Sequence, residues 1–395
     1  MPIKGKMLHI IYIYRVLFAL WLVAMLAGCR TDDQIVYMED ENTGVSSSPG
    51  TLVGMYLLNE GNMGSNKCTL DYLDLSSPDS TIHYLRNIYA ERNPNEVKEL
   101  GDVGNDAKIY GQRLWLVINC SNKVEVLHSA DATKIGKIDI PNCRSLAFHD
   151  GYAYVSSFVG PVAVGGDSPL GMVYKVDTLT LQKTDSLTVG YQPEEMAVSG
   201  DFLYVANSGG YIPPRYDNRV SIIDLRTFTL KEHVEVGINL QLIRTDSHGQ
   251  LWVSSRGNNR DKASCLYWLL PAADGSLTVG GCIDRAVSGM SIAGDSLYFY
   301  GADFNALTYD VTEAQGIVNT ATHQIVSESL SADAEMAAIS QPYGIIVNPD
   351  GRDFYMMDAK NYVSSGVLLH FLADGTFDYK VRTGDIPGHA VFLYK

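Results

Sequence analysis

Seven short apolar segments, each with a central aromatic residue, recur along this chain. Each segment follows a polar turn, as in Phe202-Leu-Tyr-Val and Gln250-Leu-Trp-Val. The seven aromatic residues are Tyr56, Trp115, Tyr154, Tyr204, Trp252, Tyr298 and Tyr355. A repeat of about 40 to 60 residues with strands in every unit is typical of a β-propeller. The pattern therefore predicts an all-β protein built from repeated blades.

The unit around Tyr204 shows what one blade contains. Strands are predicted near residues 194–199, 203–207, 220–224 and 232–236, because these runs are rich in β-branched and aromatic residues and end in turn formers. Four such strands cannot cover both faces of their own sheet, so neighbouring blades must bury them around a shared axis. Two stacked β-sandwiches are the alternative, which the recurrence of one unit disfavours.

The two ends of the repeat predict how the ring closes. The first unit begins at its second strand, near Met55, and one strand, His389–Lys395, is left over after the last unit. This strand fits the vacant inner position of blade one, where it would remove an exposed sheet edge. We expect seven four-stranded antiparallel blades over residues 51–395. Six or eight blades stay open, because two intervals contain long loops.

The N-terminal segment resembles a bacterial lipoprotein signal. Lys4 and Lys6 precede an apolar run over residues 16–27, and the segment ends in Leu26-Ala-Gly-Cys29, which resembles a lipobox. We expect a signal peptide over residues 1–28, lipidation of Cys29, and a polar tether over residues 29–50. The alternative is a transmembrane helix, but twelve apolar residues are too few to cross a bilayer.

Two acidic residues that closely follow the lipobox indicate where in the cell the protein is located. Asp32 and Asp33 resemble the export signal that sends lipoproteins of Bacteroidota to the outer leaflet of the outer membrane. We therefore expect a protein that is anchored to the outer membrane by lipid alone and exposed at the cell surface. A formal net charge of −15 argues against binding to nucleic acid.

The cysteines predict disulfides rather than a metal site. Six are present, and five remain after Cys29, an odd number. Cys120 and Cys143 are expected on one face of the fold and form the favoured pair, and Cys265 with Cys282 on adjacent strands is the second candidate. None of the spacings suits zinc, so no metal site is predicted.

The long loops are predicted to gather on one face of the propeller, where functional residues concentrate. Tyr, Asn and Arg around a concavity suit a large amphipathic ligand, although ordinary solvated loops remain the alternative reading. The candidate ligand-binding residues are Asn62, Asn119, Phe158, Asn207, Tyr211, Arg215, Tyr216, Arg256, Asn258, Arg260, Tyr362 and His389. No catalytic residues are predicted, since the histidines are scattered, and no cofactor is required.

Several motifs resemble known propellers. Leu203-Tyr-Val-Ala-Asn-Ser-Gly209 followed by Arg219-Val-Ser-Ile-Ile-Asp224 is similar to the YVTN (YncE-like) repeat. Four further motifs resemble BtuG-type surface lipoproteins of Bacteroidota: Leu58-Asn-Glu-Gly-Asn62, Leu100-Gly-Asp-Val103, Gly190-Tyr-Gln-Pro193 and Gly384-Asp-Ile-Pro-Gly388. This resemblance implies a non-enzymatic protein that captures a corrinoid, cobalamin or cobinamide, and passes it to a TonB-dependent outer-membrane transporter.

Two other functions stay open, because propellers host unrelated activities. One is an adhesive or scaffolding protein that binds glycan or protein through the same face. The other is a lactonase-like or quinoprotein-like enzyme, which the lack of clustered metal ligands in the sequence disfavours.

Overall fold

The computed structural model describes residues 39–45, 52–76, 81–161, 164–165 and 168–395. The predicted signal peptide, Cys29 and the acidic pair behind it lie outside the described residues. The described part of the chain is almost entirely β-structure, arranged as seven antiparallel sheets. The prediction of seven four-stranded blades is confirmed, and blade one carries one additional strand.

Blade one contains strands from both ends of the described chain, and the other six blades are consecutive meanders. Blade one consists of β1 (Glu39–Val45), β2 (Leu52–Asn59), β3 (Thr69–Asp74), β4 (Thr81–Arg86) and β29 (Pro387–Tyr394). Blade two consists of β5 (Gly104–Tyr110), β6 (Arg113–Ile118), β7 (Lys123–His128) and β8 (Lys134–Asp139). Blade three consists of β9 (Cys143–His149), β10 (Tyr152–Ser157), β11 (Met172–Asp177) and β12 (Lys183–Thr188).

The remaining blades follow the same order. Blade four consists of β13 (Pro193–Ser199), β14 (Phe202–Asn207), β15 (Arg219–Asp224) and β16 (Thr229–Glu235). Blade five consists of β17 (Leu240–Thr245), β18 (Leu251–Ser255), β19 (Cys265–Pro271) and β20 (Leu277–Ile283). Blade six consists of β21 (Gly289–Ala293), β22 (Ser296–Phe304), β23 (Val311–Asn319) and β24 (Gln324–Ser327). Blade seven consists of β25 (Pro342–Val347), β26 (Phe354–Asp358), β27 (Ser365–Phe371) and β28 (Phe377–Asp385).

Position within a blade explains the sequence of each strand. The second strand of blade four, β14, is buried at every residue because adjacent blades cover both of its faces. It therefore reads as a continuous apolar run rather than an alternating one. The fourth strand of blade three, β12, is mostly exposed and has the polar sequence KTDSLT.

Apolar cores lie between the blades, one at each of the seven blade interfaces. The recurring aromatic residues fill these cores from the second strands. Tyr154 of blade three, for example, packs against Leu203 and Phe228 of blade four. The repeat in the sequence thus reflects a repeated packing position between blades.

The C-terminal strand closes the ring. β29 pairs with β2 in antiparallel register from Leu52↔Tyr394 to Asn59↔Pro387, which makes β29 the inner strand of blade one. It also lies beside β5 and β25, the inner strands of the two neighbouring blades. The predicted closure by His389–Lys395 is confirmed, and the paired segment begins two residues earlier.

A fifth strand extends blade one at its outer edge. β1 pairs with β4 in antiparallel register, from Glu39↔Arg86 to Val45↔Thr81, with an irregularity between Asn42 and Gly44. β1 lies in the segment where the sequence predicts a tether. It gives the backbone of β4 a second hydrogen-bonded neighbour and so covers what would be a free edge.

Two short helices lie in the connections between blades. α1 (Ile88–Arg92) follows blade one, and α2 (Ala334–Ala337) follows blade six. No helix in the described ranges has both the length and the hydrophobicity that a membrane crossing requires.

Candidate functional site

One large cavity opens on the face that carries the loops between second and third strands and the connections between blades; this surface is called the loop face. The opposite ends of the strands are joined by turns such as Asp150-Gly151, where positive φ values at both residues fit a tight hairpin. The cavity has a volume of about 2280 Å³ and is lined by residues from all seven blades. A concave surface therefore lies on the face where the sequence predicts that the long loops gather.

Polar residues at the start of the inner strands form the floor of the cavity. The second residue is polar in five of these strands: β5, β9, β13, β17 and β25. These residues are Asn105, Arg144, Glu194, Gln241 and Tyr343, and all of them line the cavity. Because inner strands surround the axis and begin at the loop face, the five side chains belong to one ring.

Arg144 and Glu194 form an ion pair in this ring. Arg144 donates from Nε and Nη2 to Glu194 Oε2 at 3.1 and 2.9 Å, and from Nη1 to Asn105 Oδ1 at 3.3 Å. Burial works to lower the pKa of Arg144, but the adjacent Glu194 carboxylate outweighs burial and raises it. The guanidinium also lies over the ring of Phe158, 4.8 Å from its centroid. The pair is thus a fixed part of the floor.

Further charged pairs occupy the inner strands below this ring. Arg244 forms an ion pair with Glu195, whose Oε2 also accepts the backbone N–H of Ile243 at 3.1 Å. Lys108 Nζ lies 3.4 Å from Asp106 Oδ2. Burial lowers the pKa of both Arg244 and Lys108, because it penalises a cation removed from water.

Glu60 connects blade one with blade seven at the closure of the ring. Its Oε2 accepts the Tyr343 hydroxyl at 2.9 Å, and its Oε1 lies 3.1 Å from His389 Nε2. Burial, followed by the Glu60 charge, raises the pKa of Tyr343, so its hydroxyl stays protonated and donates. The ring of Tyr362 meets Tyr343 edge-on, with centroids 5.7 Å apart. This corner of the cavity combines a carboxylate with aromatic walls.

Six of the predicted ligand-binding residues line the cavity: Asn62, Asn119, Tyr211, Arg256, Tyr362 and His389. Two others are structural. Phe158 is buried beneath Arg144, and the Asn207 amide donates to Arg219 O at 2.8 Å and Ser221 Oγ at 2.9 Å within its own blade.

The other four predicted residues do not line the cavity: Arg215, Tyr216, Asn258 and Arg260. The loop of blade five is organised around Asn258, whose Oδ1 accepts the backbone N–H groups of Arg260, Asp261 and Lys262 at 3.0 to 3.1 Å. Asn258 is therefore occupied with its own turn. The structure does not bring these four side chains together with the six that line the cavity.

Sequence reasoning missed several lining residues, among them Glu60, Arg144, Glu194, Gln241, Tyr300 and Tyr343. A signal for four of them was present, since a polar residue recurs at the second position of inner strands that are otherwise apolar. Tyr300 carries no such signal. It belongs to the second strand of blade six, where an aromatic residue reads as core.

A protruding hairpin in blade six was also missed. β22 and β23 pair over nine residues each, from Ser296↔Asn319 to Phe304↔Val311, and one side of the hairpin forms a wall of the cavity. Its tip exposes apolar side chains: Leu307 is 68% exposed and Tyr309 is 79% exposed. The backbone N–H of Ala306 donates to Asn259 O at 2.7 Å, which joins the tip to the loop of blade five.

The cysteines differ in part from the prediction. Cys265 and Cys282 form a disulfide between β19 and β20, the second candidate pair. Cys120 and Cys143, the favoured pair, are free thiols, which corrects that expectation. Cys143 is buried in the core between blades two and three, whereas Cys120 lines the cavity, so their side chains occupy different layers.

One group of potential metal ligands stands out within the described ranges. Sulfur and oxygen atoms of Cys265, Cys282 and Asp284 lie within 4.8 Å of one another. Both sulfurs belong to the disulfide, and a metal would need them as free thiolates. These residues therefore do not fit a metal in this state.

Comparisons with known proteins identify the fold but no family. No protein-family model matches the chain, and no curated protein matches its sequence. The chain is similar to a Bacteroides fragilis protein provisionally assigned as a 6-phosphogluconolactonase, with a TM-score of 0.59 and 11% identity over 88% of this chain and 100% of that chain.

Two other solved structures are similar to a comparable degree. A quinoprotein alcohol dehydrogenase-like protein of Bacteroides thetaiotaomicron gives a TM-score of 0.54 at 11% identity, over 87% of this chain and 78% of that chain. Hydrazine synthase of Kuenenia stuttgartiensis gives 0.55 at 13% identity, over 74% and 95%. At such identities the likeness shows the β-propeller fold alone.

Proposed function

We propose that this propeller is a non-catalytic capture protein that binds a corrinoid, cobalamin or cobinamide, in the cavity of the loop face. The observation that carries the proposal is the size of the cavity, about 2280 Å³. Sites for drug-sized ligands typically enclose about 300 to 1,000 Å³. The cavity therefore offers room for a ligand well above that size.

The chemistry of the lining supports the same ligand class. Tyr211, Tyr343 and Tyr362 offer flat apolar surface with a polar end, which suits a large amphipathic ring. The amide of Asn62 also lines the cavity and can both donate and accept hydrogen bonds, whereas Asn119 Nδ2 already donates to Asn142 Oδ1 and Cys143 O. A macrocycle with peripheral amide groups matches this combination of flat and hydrogen-bonding surfaces.

The location and partner form the second half of the proposal. The lipobox ending at Cys29 and the acidic residues behind it support attachment to the outer membrane with the propeller at the cell surface. A captured ligand would then pass to a TonB-dependent transporter in the same membrane. The resemblance to BtuG-type lipoproteins supports this handover.

Titration of the purified full-length protein with cobinamide tests the proposed ligand. Absorbance of the corrin chromophore and calorimetry should both show saturable binding with one stoichiometry, and cobalamin should compete. Absence of binding by both corrinoids would contradict the proposal.

A protein- or glycan-binding scaffold is the second candidate function, and the hairpin of blade six supports it. Leu307 and Tyr309 expose apolar surface at the tip of this hairpin and do not line the cavity. A double substitution, Leu307→Ser with Tyr309→Ser, should leave corrinoid binding unchanged if capture is the function. Loss of cell-surface adhesion in that variant, without corrinoid binding by the parent protein, would favour the scaffold.

The third candidate is a lactonase-like or quinoprotein-like enzyme. Among the observations, only the shared fold of two similar structures points to it, and a fold does not specify a reaction.

A further inference from the structure

Arg256 differs from the other arginines that line the cavity. Arg144 is paired with Glu194, and Arg285 donates to Glu328 at 2.9 Å. Arg256 is exposed in the cavity lining, and its guanidinium has no ion pair or hydrogen bond with any described residue. The chain has 45 acidic and 30 basic side chains, so an arginine without a carboxylate partner inside a concave site is unusual. Its guanidinium is a candidate hydrogen-bond donor to an anionic ligand.

Tyr300 supplies a second donor beside Arg256. It lines the cavity with only 6% of its surface exposed, and its hydroxyl has no hydrogen-bond partner in the described ranges. The ring lies against Gly289 of the inner strand, where a Cβ would come within 2.3 Å of ring carbon Cε1. Burial raises the pKa of Tyr300, while Arg256 acts to lower it, so the hydroxyl remains a donor at neutral pH.

Gln241 supplies a third polar group without a partner. It lines the cavity from the inner strand of blade five, and its Oε1 is buried without a hydrogen bond. Gln241 follows Leu240, which pairs with Ser255, the residue before Arg256. The Oε1 oxygen is an acceptor and cannot hydrogen-bond to an oxyanion, but Nε2 has no hydrogen bond with a described residue and can donate to a ligand in the cavity.

The charges that act on Tyr300 favour an anion over a cation beside it. Arg256 has the larger effect, and Glu60, which has the smaller one, already has Tyr343 and His389 at its two oxygens. Arg256 would repel a ligand cation placed beside Tyr300. A planar guanidinium together with a hydroxyl and an amide N–H matches the acceptor geometry of a carboxylate or phosphate.

We propose that Arg256, Tyr300 and Gln241 form a subsite for one oxyanion, a carboxylate or a phosphate, within the cavity. The inference rests on the proposed function in that it names a group that the captured ligand carries. For a corrinoid, the phosphodiester of the nucleotide loop, present in cobalamin and absent from cobinamide, is such a group.

The subsite is tested without a corrinoid by calorimetric titration of the full-length protein with inorganic pyrophosphate and, separately, with succinate at low ionic strength. The variants are Arg256→Gln, Tyr300→Phe and, as the matched control, Arg285→Gln, which removes an arginine already paired. We expect saturable binding to the unmodified protein, a loss of about tenfold or more in Arg256→Gln, a smaller loss in Tyr300→Phe, and no change in Arg285→Gln. Tighter binding of pyrophosphate would indicate a phosphate subsite, and tighter binding of succinate would indicate a carboxylate subsite.

Two results overturn the subsite: no saturable binding of either probe, or equal affinity in the unmodified protein and Arg256→Gln. Cobinamide binding is measured on the same samples, with melting curves to verify folding. Probe binding without cobinamide or cobalamin binding contradicts the proposed function and supports the subsite. Corrinoid binding without probe binding contradicts the subsite and supports the function.

Discussion

Tyr211 and Tyr216 belong to one loop of blade four, but only Tyr211 lines the cavity. Tyr211 is 42% exposed, its ring meets Phe158 edge-on at 6.4 Å, and its backbone N–H donates to Gln192 Oε1 at 2.8 Å. It is therefore a positioned aromatic surface at the rim. The sequence makes both residues candidate ligand-binding residues, and the structure supports only Tyr211 as a residue of the cavity.

We predict that Tyr211→Ala weakens corrinoid binding by about 1 to 3 kcal/mol, because it removes flat surface that a ligand would desolvate. The melting temperature should change little, since the side chain lies outside the blade cores. Tyr216→Ala is the matched control, and calorimetric titration should give it the affinity of the unmodified protein. Equal losses in both variants would show that the ligand reaches beyond the cavity.

Asp358 at the end of β26 holds the loop that enters blade seven. Its Oδ1 accepts the backbone N–H groups of Gln341 and Lys360 at 2.9 and 2.8 Å, and its Oδ2 accepts Lys360 Nζ at 2.9 Å. Burial works to raise the pKa of Asp358, but these hydrogen bonds outweigh it and lower the pKa below its usual value. The folded state is therefore stabilised by the ionised carboxylate.

We predict a pH-dependent cost for Asp358→Asn. A lowered folded pKa stabilises the protein fully above the unfolded value of about 3.9, and this contribution is lost as the pH falls through the folded pKa. The variant should have a lower free energy of unfolding at pH 7, and the difference should shrink at pH 3. Denaturant titrations at both pH values measure the gap. A gap that stays constant would assign the cost to packing instead.

At the scale of elements, the inner strand of blade one comes from the far end of the chain. β29 makes a full antiparallel ladder with β2 and also adjoins the inner strands of blades two and seven. One strand therefore contributes to the packing of three blades. The exposed edge of β2 would otherwise be open to pairing with another chain.

We predict that deletion of His389–Lys395 abolishes cooperative unfolding, because it opens the ring and exposes the edge of β2. Thermal melts followed by circular dichroism measure this directly. The substitution His389→Gln in the intact chain is the control, since it alters the contact with Glu60 and keeps the strand. A truncated protein that melts like the full-length one would contradict the role of β29 in closure.

At the scale of the whole molecule, the cellular address decides whether the cavity can meet an external ligand. We predict that protease added to intact cells removes the propeller, because a lipid at Cys29 would hold it at the cell surface. Immunoblotting of the cell pellet measures the loss, and a periplasmic protein serves as the protected control. Protection that ends only when the outer membrane is disrupted would place the protein in the periplasm and contradict capture at the surface.

The architecture was predictable because its causes are local and repeated. The aromatic residue in each second strand, the turns such as Asp150-Gly151, and the spare strand at the end are each visible within a few residues. Seven copies of one weak signal reinforce each other, since every blade interface requires the same kind of buried side chain.

The site was only partly predictable, because it is built from all seven blades. The sequence indicated the loop face and six lining residues, yet a loop position alone does not tell whether a residue lines the cavity, as Tyr211 does, or does not, as Tyr216 shows. The pairing of Glu60 with Tyr343 and His389 joins residues from opposite ends of the chain, and only closure of the ring brings them within hydrogen-bonding distance.

The sequence by itself determined the repeat and the closing strand and favoured seven blades, because burial between similar units imposes one pattern on every blade. Tertiary structure alone decided which polar residues surround the axis, which cysteines pair, and that the side chains of Arg256 and Tyr300 line one cavity without a hydrogen bond to any residue that the structure describes. The physical reason is the distance along the sequence over which each kind of interaction acts. Strand and turn preferences act over a few residues, whereas a cavity at the axis depends on contacts between residues up to hundreds of positions apart.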